Sequence, residues 1–139
     1  GVSNFLIDDL ENLLADCKIK PMVNQILMHI GNIPQQLIRY CKEQNILIEA
    51  YSPIAHGEAL KNKTITAMAE KYQVSAAQLC IKYVIQLGAI ALPKTANPDH
   101  MQSNAMLDFI ISDSDMAELT ALKFADYGDY SHFPVFSGK

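Results

Sequence analysis

The sequence lacks several features that mark common classes of protein. It contains no tryptophan, and its net charge of -4 argues against a nucleic-acid partner. It has no apolar run of about 18 residues, so we expect no transmembrane helix and no membrane partner. The three cysteines, Cys17, Cys41 and Cys80, form no CxxC pair, and the four histidines form no short-spaced metal motif. These absences predict a globular protein of the reduced cytoplasm that binds no metal.

Short apolar runs alternate with helical patterns along the 139 residues. The apolar runs predict strands, which lie at residues 2–4, 22–26, 46–51 and 89–92. Helical spacing follows each of them, at residues 7–16, 35–44 and 63–72, after Ser75, over 98–105 and after Ser112. Repeated βα units predict an α/β fold with a parallel sheet and right-handed crossovers. No GxGxxG follows a strand, which disfavours a dinucleotide-binding doubly wound sheet and favours half of a (β/α)8 barrel of about 250 residues.

The fourth predicted strand runs into a helix through a short basic segment. Lys94 and Thr95 stand at the tip of the strand, Asn97 suits a helix N-cap, and Pro98 suits the first helical position. The unpaired N–H groups of a helix start and the charge of Lys94 together favour an anion. The alternative is an ordinary βα loop with a solvated lysine.

Polar residues occupy the tips of all four predicted strands. They are Ser3 and Asn4, Asn24 and Gln25, Tyr51 and Ser52, and Lys94 and Thr95. Function gathers at the carboxyl ends of strands in a (β/α)8 barrel. This set suits a flat, amide-bearing ring stacked on Tyr51 and a phosphate near Lys94, as a dinucleotide would supply. The alternative is that each polar residue caps its own strand.

The strand tips offer little for acid–base chemistry. Tyr51 is the one strong candidate, and the sequence places no lysine or histidine beside it. Glu49 lies inside a strand, where a hydrogen-bonded carboxylate is a better interpretation than a catalytic one. His29 and His56 fall in loops, and the sequence identifies no partner for either. With no nucleophile–base pair visible, we expect no complete catalytic apparatus in this chain.

Four segments of the chain carry a specific resemblance. Gly1–Phe5, Val23–Ile26, Glu49–Pro53 and Leu92–Thr95 resemble, in order and spacing, the C-terminal half of the aldo-keto reductases. The chain is most similar to bacterial members of the 2,5-diketogluconate reductase type, over essentially all of its residues. The resemblance implies a (β/α)8 TIM barrel and the NADPH-dependent reduction of aldehydes or ketones, with a small-molecule carbonyl substrate.

The resemblance also implies roles at the nicotinamide end of the cofactor. Ser3, Asn4 and Gln25 would hydrogen-bond the carboxamide, and Tyr51 would stack on the ring. The loop after Tyr51 would line the pyrophosphate through Ser52, Ile54 and Gly57.

At the adenosine end, the resemblance places Lys94 and Thr95 on the 2′-phosphate and Asn104 beside the adenine. His100 stands where the family usually has an arginine that grips this phosphate. Ser103 stands where an acidic residue is common. We therefore expect NADP(H) as the cofactor, with NAD(H) tolerated.

The family's catalytic Asp, Tyr, Lys and His lie in the first half of the barrel, so Tyr51 is not the proton-donating tyrosine. We interpret residues 1–139 as the cofactor-binding half, with residues 124–139 as a tail over the active-site mouth. The expected partner is the missing N-terminal half or another copy of the chain, facing inner-surface residues such as Val23, Ile48 and Ile90. The alternative is a non-catalytic half-barrel that binds a nucleotide or only self-associates.

Overall fold

The computed structural model describes residues 1–123, and the predicted tail at 124–139 lies outside the described residues. Its sheet has four parallel strands in the order β1-β2-β3-β4. The strands are β1 Val2–Ser3, β2 Val23–Leu27, β3 Leu47–Tyr51 and β4 Ile90–Leu92. The predicted set of parallel βα units is therefore confirmed, and each strand pairs with the one that follows it in the chain.

Helices connect the strands and follow the last one. They are α1 Ile7–Asp16, α2 Gln35–Glu43, α3 Lys63–Lys71, α4 Ala76–Gln86, α5 Pro98–Ala105 and α6 Asp113–Ala121. A 3₁₀ helix, Ala55–Lys61, precedes α3. None of the helices within residues 1–123 is both long and apolar enough to cross a bilayer.

Side-chain caps fix two of the helix starts where the sequence predicted them. The Ser75 hydroxyl accepts from the Gln78 amide at 3.1 Å, and the Gln78 side chain accepts from the Ser75 amide at 2.9 Å. Asn97 accepts from the amide of Asp99 at 2.9 Å, and Pro98 takes the first helical position. Each cap satisfies N–H groups that the helix itself leaves unpaired.

The two faces of the sheet differ in what covers them. Alternate residues of a strand share a face, and Ile26, Ile48 and Ala50 are buried against the helices. Their neighbours form a half-exposed surface that we call the open face, made of Ser3, Val23, Gln25, Leu27, Leu47, Glu49, Tyr51, Ile90 and Leu92. The assignment of Ile48 to the inner surface is wrong: Ile48 is 5% exposed, whereas Leu47 is 52% exposed.

The hydrophobic core lies between the sheet and the helices. Helix α4 is apolar on several sides, and its residues Leu79, Cys80, Tyr83 and Val84 are fully buried. The Tyr83 hydroxyl pairs with Thr120 Oγ1 at 2.7 Å, which satisfies a buried polar group between α4 and α6. The helical layer therefore holds one face of the sheet firmly and leaves the open face without a covering layer among residues 1–123.

A polar network joins α6 to the end of α3. Lys71 Nζ donates to both carboxylate oxygens of Asp115, at 2.8 and 2.7 Å, and the Tyr72 hydroxyl donates to Asp115 Oδ2. The amide of Ser112 donates to the same Tyr72 hydroxyl at 2.8 Å. Asp115 is 5% exposed, so these hydrogen bonds are needed to offset the cost of burying its charge.

We expect Asp115→Asn to lower the melting temperature at neutral pH by several degrees. Hydrogen bonds from Lys71 and then Tyr72 hold the pKa of Asp115 below its usual range. The stability that this carboxylate contributes is full above its unfolded pKa, and it is lost as pH falls through the lower folded value. Thermal unfolding should therefore separate the two proteins at pH 7, and the difference should shrink as pH falls below the unfolded pKa of about 3.9. The exposed Asp113→Asn is the matched control, and equal effects of the two substitutions would contradict the assigned role.

Candidate functional site

The carboxyl ends of the strands meet at one edge of the sheet, where β1 turns sharply. Asn4 continues the pairing with β2, since its amide donates to the Gln25 carbonyl at 2.9 Å. Its φ of 56° is left-handed, a conformation that asparagine tolerates better than most residues. The chain thus leaves the sheet at Asn4. The side chain of Asn4 lies at this edge of the sheet, which we call the mouth.

Tyr51 and Asn4 meet across this edge. The Tyr51 hydroxyl donates to Asn4 Oδ1 at 2.9 Å, which joins the ends of β3 and β1. Burial raises the pKa of the Tyr51 phenol, and the hydrogen bond between Tyr51 and Asn4 offsets only part of that effect. Tyr51 is therefore a neutral, already hydrogen-bonded phenol at pH 7, suited to holding a ligand rather than to giving up its proton.

Gln25 and Glu49 form a second pair on the open face. Gln25 Nε2 donates to Glu49 Oε2 at 2.9 Å. The parallel register places Ser3 opposite Gln25 and Gln25 opposite Glu49, so the three side chains form one row across the sheet. The interpretation of Glu49 as a hydrogen-bonded strand carboxylate is confirmed, and the structure supplies its partner.

Asn24 binds the segment between β1 and α1 and does not face the mouth. It is fully buried on the helix-covered face, where its Nδ2 donates to the Phe5 carbonyl at 2.9 Å. The Phe5 amide donates back to Asn24 Oδ1 at 3.4 Å. These two contacts position the segment that follows Asn4, so Asn24 shapes the site without facing it.

The loop after Tyr51 has an unusual backbone. Ser52, Ala55 and His56 have φ values of 52°, 50° and 54°, and Gly57 has a φ of 94°. Left-handed non-glycine residues are strained, and they concentrate at functional sites. The amides of Ala55 and Gly57 donate to the Ser52 and Ile54 carbonyls at 2.8 and 2.9 Å, which holds this shape. The predicted loop is thus a tight turn, and its last residues begin the 3₁₀ helix.

Two histidines belong to this region: His56 lies in the loop and is exposed, whereas His29 follows β2 and is buried. His29 is fully buried, and its Nδ1 lies 2.6 Å from the Ile30 carbonyl, which can only accept, so Nδ1 carries the proton. Burial lowers the pKa of His29 most strongly, and His56 lowers it further. His56 Nε2 lies 3.1 Å from the Ser52 hydroxyl, and burial lowers the pKa of His56 too. Both rings are therefore neutral at pH 7, and the partners that the sequence could not identify are backbone and loop groups.

The end of β4 provides the positive part of the edge. Thr95 Oγ1 accepts from the Asn97 amide at 3.1 Å, which shapes the turn into α5. Lys94 and His100 are exposed, and Asn104 is half-buried. His100 and Asn104 are four residues apart on α5, so they share one side of the helix. The ends of β1 to β3 thus offer amides, hydroxyls and a phenol, while β4 and α5 offer a cation and a helix start.

The family model for the aldo/keto reductase family matches residues 1–123. The chain belongs to the aldo/keto reductase family. Its family, predicted from four short segments, is confirmed. Glyoxal reductase from Bacillus subtilis is 42% identical over 123 residues, covering 88% of this chain and 45% of that protein. A 9,11-endoperoxide prostaglandin H2 reductase from Trypanosoma cruzi is 38% identical over 126 residues, covering 88% and 44%.

Solved aldo-keto reductases share the fold. The aldo-keto reductase MGS-M4, from a deep-sea metagenome library, superposes with a TM-score of 0.85 at 32% identity, covering 88% of this chain and 47% of that one. The silkworm enzyme AKR2E5 from Bombyx mori, solved with NADPH, gives a TM-score of 0.82 at 31% identity, covering 88% and 41%. The chain spans about half the length of the relatives that it matches. It is therefore a partial aldo-keto reductase barrel, as predicted.

Proposed function

We propose that this chain is the cofactor-binding half of an NADPH-dependent aldo-keto reductase that reduces aldehydes or ketones to alcohols. The observation that carries the proposal is the hydrogen bond between Tyr51 and Asn4, with Gln25 on the same edge of the sheet. It gathers an aromatic ring and two amides where a flat carboxamide-bearing ring needs them. A bound NADPH would supply the hydride, and the chain itself supplies binding and orientation.

At the nicotinamide end, Ser3, Asn4 and Gln25 would hold the carboxamide, since hydroxyls and amides provide both donors and acceptors. Tyr51 would stack on the ring, because a phenol that keeps its proton presents an apolar face beside a polar tip. These are family roles that the sequence predicted, and the meeting of Tyr51 with Asn4 supports them.

The rest of the cofactor would lie along the loop and the start of α5. The turn of Ser52, Ile54 and Gly57 is preshaped by its left-handed backbone and would line the pyrophosphate. Lys94 and Thr95 would hold the 2′-phosphate beside the start of α5, with Asn104 at the adenine.

The relatives support the cofactor and the need for a partner. The silkworm aldo-keto reductase was crystallised with NADPH, and the Bacillus protein is named for a small dicarbonyl substrate. We infer a small carbonyl substrate here, with the catalytic groups coming from the N-terminal half of a complete barrel. Another copy of the chain is the alternative partner for the open face. Three free cysteines favour the cytoplasm.

Cofactor titration tests the proposal. Because the chain has no tryptophan, the fluorescence of the reduced nicotinamide can be followed without indole emission. We expect NADPH to bind, and Tyr51→Ala to weaken binding by about 1 kcal/mol through loss of stacking. Tyr40→Ala, on α2 and away from the mouth, is the matched control. A chain that binds no NADPH, alone or with an aldo-keto reductase N-terminal half, would refute the function.

His100 sets the expected cofactor preference. Histidine is shorter than arginine and cannot make its bidentate contact to phosphate. We expect NADPH to bind modestly better than NADH. His100→Arg should strengthen NADPH binding by about 1–2 kcal/mol and leave NADH nearly unchanged.

Calorimetric titration of both cofactors into the unmodified chain and into His100→Arg checks this preference. Met101→Arg, also exposed on α5, controls for added charge. If His100→Arg shifts both cofactors equally, or neither, then His100 does not reach the 2′-phosphate.

A further inference from the structure

The pair between Gln25 and Glu49 decides which end of an amide faces the mouth. A side-chain amide can turn over, so Gln25 could present either its oxygen or its nitrogen to a ligand. An ionised carboxylate only accepts hydrogen bonds. The 2.9 Å contact with Glu49 Oε2 therefore engages the nitrogen of Gln25, and its oxygen is left for a ligand.

The Tyr51 hydroxyl does not impose such a choice on Asn4. A hydroxyl both donates and accepts, so the contact between Tyr51 and Asn4 is compatible with either orientation of the Asn4 amide. Among these residues, Glu49 alone removes the ambiguity, and it does so from the strand beside Gln25. Both side chains are half-buried, so water competes less for this bond than at an exposed site.

We propose that Glu49 is a positioning residue that locks the Gln25 amide with its oxygen toward the cofactor. The Gln25 oxygen then accepts from the NH2 group of the carboxamide, and Ser3 and Asn4 remain as donors for its carbonyl oxygen. The inference rests on the proposed function, because it needs a bound nicotinamide. With Gln25 held in this orientation, the site discriminates in favour of a carboxamide N–H, which a methyl ketone of similar size lacks.

The test compares NADPH with its reduced 3-acetylpyridine analogue, which keeps the carbonyl and loses the N–H. Calorimetric titration of the 139-residue chain should show NADPH binding about five- to tenfold more tightly than the analogue. Glu49→Met keeps the side-chain length but leaves only a thioether, which is a weak acceptor, so the Gln25 amide turns freely and the preference falls to about twofold or less. Glu49→Gln can still accept through its oxygen, so it should keep most of the preference.

Two further variants make the result specific. Glu70→Met, on an exposed part of α3, controls for the loss of a negative charge and should leave the preference unchanged. Gln25→Met should abolish the preference as Glu49→Met does, and the double variant should add nothing further. Circular dichroism will establish that each variant folds, and if Glu49→Met does not, Glu49→Ala, which also removes the carboxylate, takes its place in the cycle.

The outcomes separate the two proposals. If the unmodified chain binds neither nucleotide, the proposed function fails. If it binds NADPH but shows no preference over the analogue, or if Glu49→Met leaves the preference intact, only the positioning role fails. A preference that Glu49→Met removes and Glu49→Gln retains supports Glu49 as the residue that orients Gln25.

Discussion

The 139-residue chain, mixed with NADPH and a reactive aldehyde, is expected to leave the absorbance of the reduced nicotinamide unchanged. A positioned acid–base group contributes about 10²- to 10⁴-fold to such a reaction. Tyr51 is the one such candidate that the sequence places at a strand tip. Its hydroxyl is bonded to Asn4, and its pKa is raised by burial. Carbonyl reduction needs a proton donor, and among residues 1–123 the strand tips offer no stronger candidate than Tyr51, so we expect that donor to come from the N-terminal half.

Supplying the other half should change that result. Co-expression with the N-terminal half of the Bacillus glyoxal reductase, which matches this chain at 42% identity, should raise NADPH consumption about 100-fold or more over the chain alone. The same half expressed with an unrelated barrel fragment is the control. Steady turnover by the repurified chain alone, lost in Tyr51→Phe, would show that Tyr51 is the proton donor and that the division of labour is wrong.

The second large effect concerns association. The described sheet ends in β1 and β4, and its open face carries exposed apolar residues, with Leu47 at 52%, Ile90 at 46% and Leu92 at 38%. Unpaired strand edges and an apolar surface of this kind favour pairing with another chain. We therefore expect no persistent monomer at micromolar concentration, and analytical ultracentrifugation should show dimers or larger species.

A single charge on the open face should weaken that association. Ile90→Lys places an ammonium where the partner would bury it, so the dissociation constant should rise by about 100-fold, or about 3 kcal/mol. Met101→Lys adds the same charge to α5 at a similarly exposed position and should have little effect. A stable, cooperatively unfolding monomer of the unmodified chain, or equal effects of the two lysines, would count against the open face as the interface.

Helix starts were predictable to the residue, and strand faces were not. Asn97 caps the amide of Asp99 just two residues on, and Ser75 and Gln78 cap each other across three. Each interaction lies within one short stretch of sequence, so the sequence alone predicts it. Ile46, Leu47 and Ile48 are all apolar, and a strand of a parallel sheet is apolar on both faces. Glu49 is the one charged residue of β3, and a strand that is buried on both faces can carry a hydrogen-bonded carboxylate on either of them, so the sequence did not show that Ile48 faces the helices.

The candidate site shows the same division. The residue types at the strand tips indicated a polar, ring-binding edge. The hydrogen-bonded pairs of the site could not be predicted without the register between strands. That register places Gln25 opposite Glu49 and brings Tyr51 within reach of Asn4, 47 residues away. The contact between His56 and Ser52 was hidden for a further reason, because a loop with four left-handed residues has no simple sequence signal. Contacts between elements decide such details.

The strand order β1-β2-β3-β4 has a consequence for how the chain folds during synthesis. Every strand pairs with its sequence neighbour, so each βα unit can dock on the previous one as it leaves the ribosome. Ribosomes add about 5–20 residues per second, so several seconds separate the emergence of β2 from that of β4. The helix-covered side of the sheet can therefore close step by step, in the order of the chain. The side that carries Leu47 and Ile90 receives no helix from residues 1–123, so its burial has to come from a separate step.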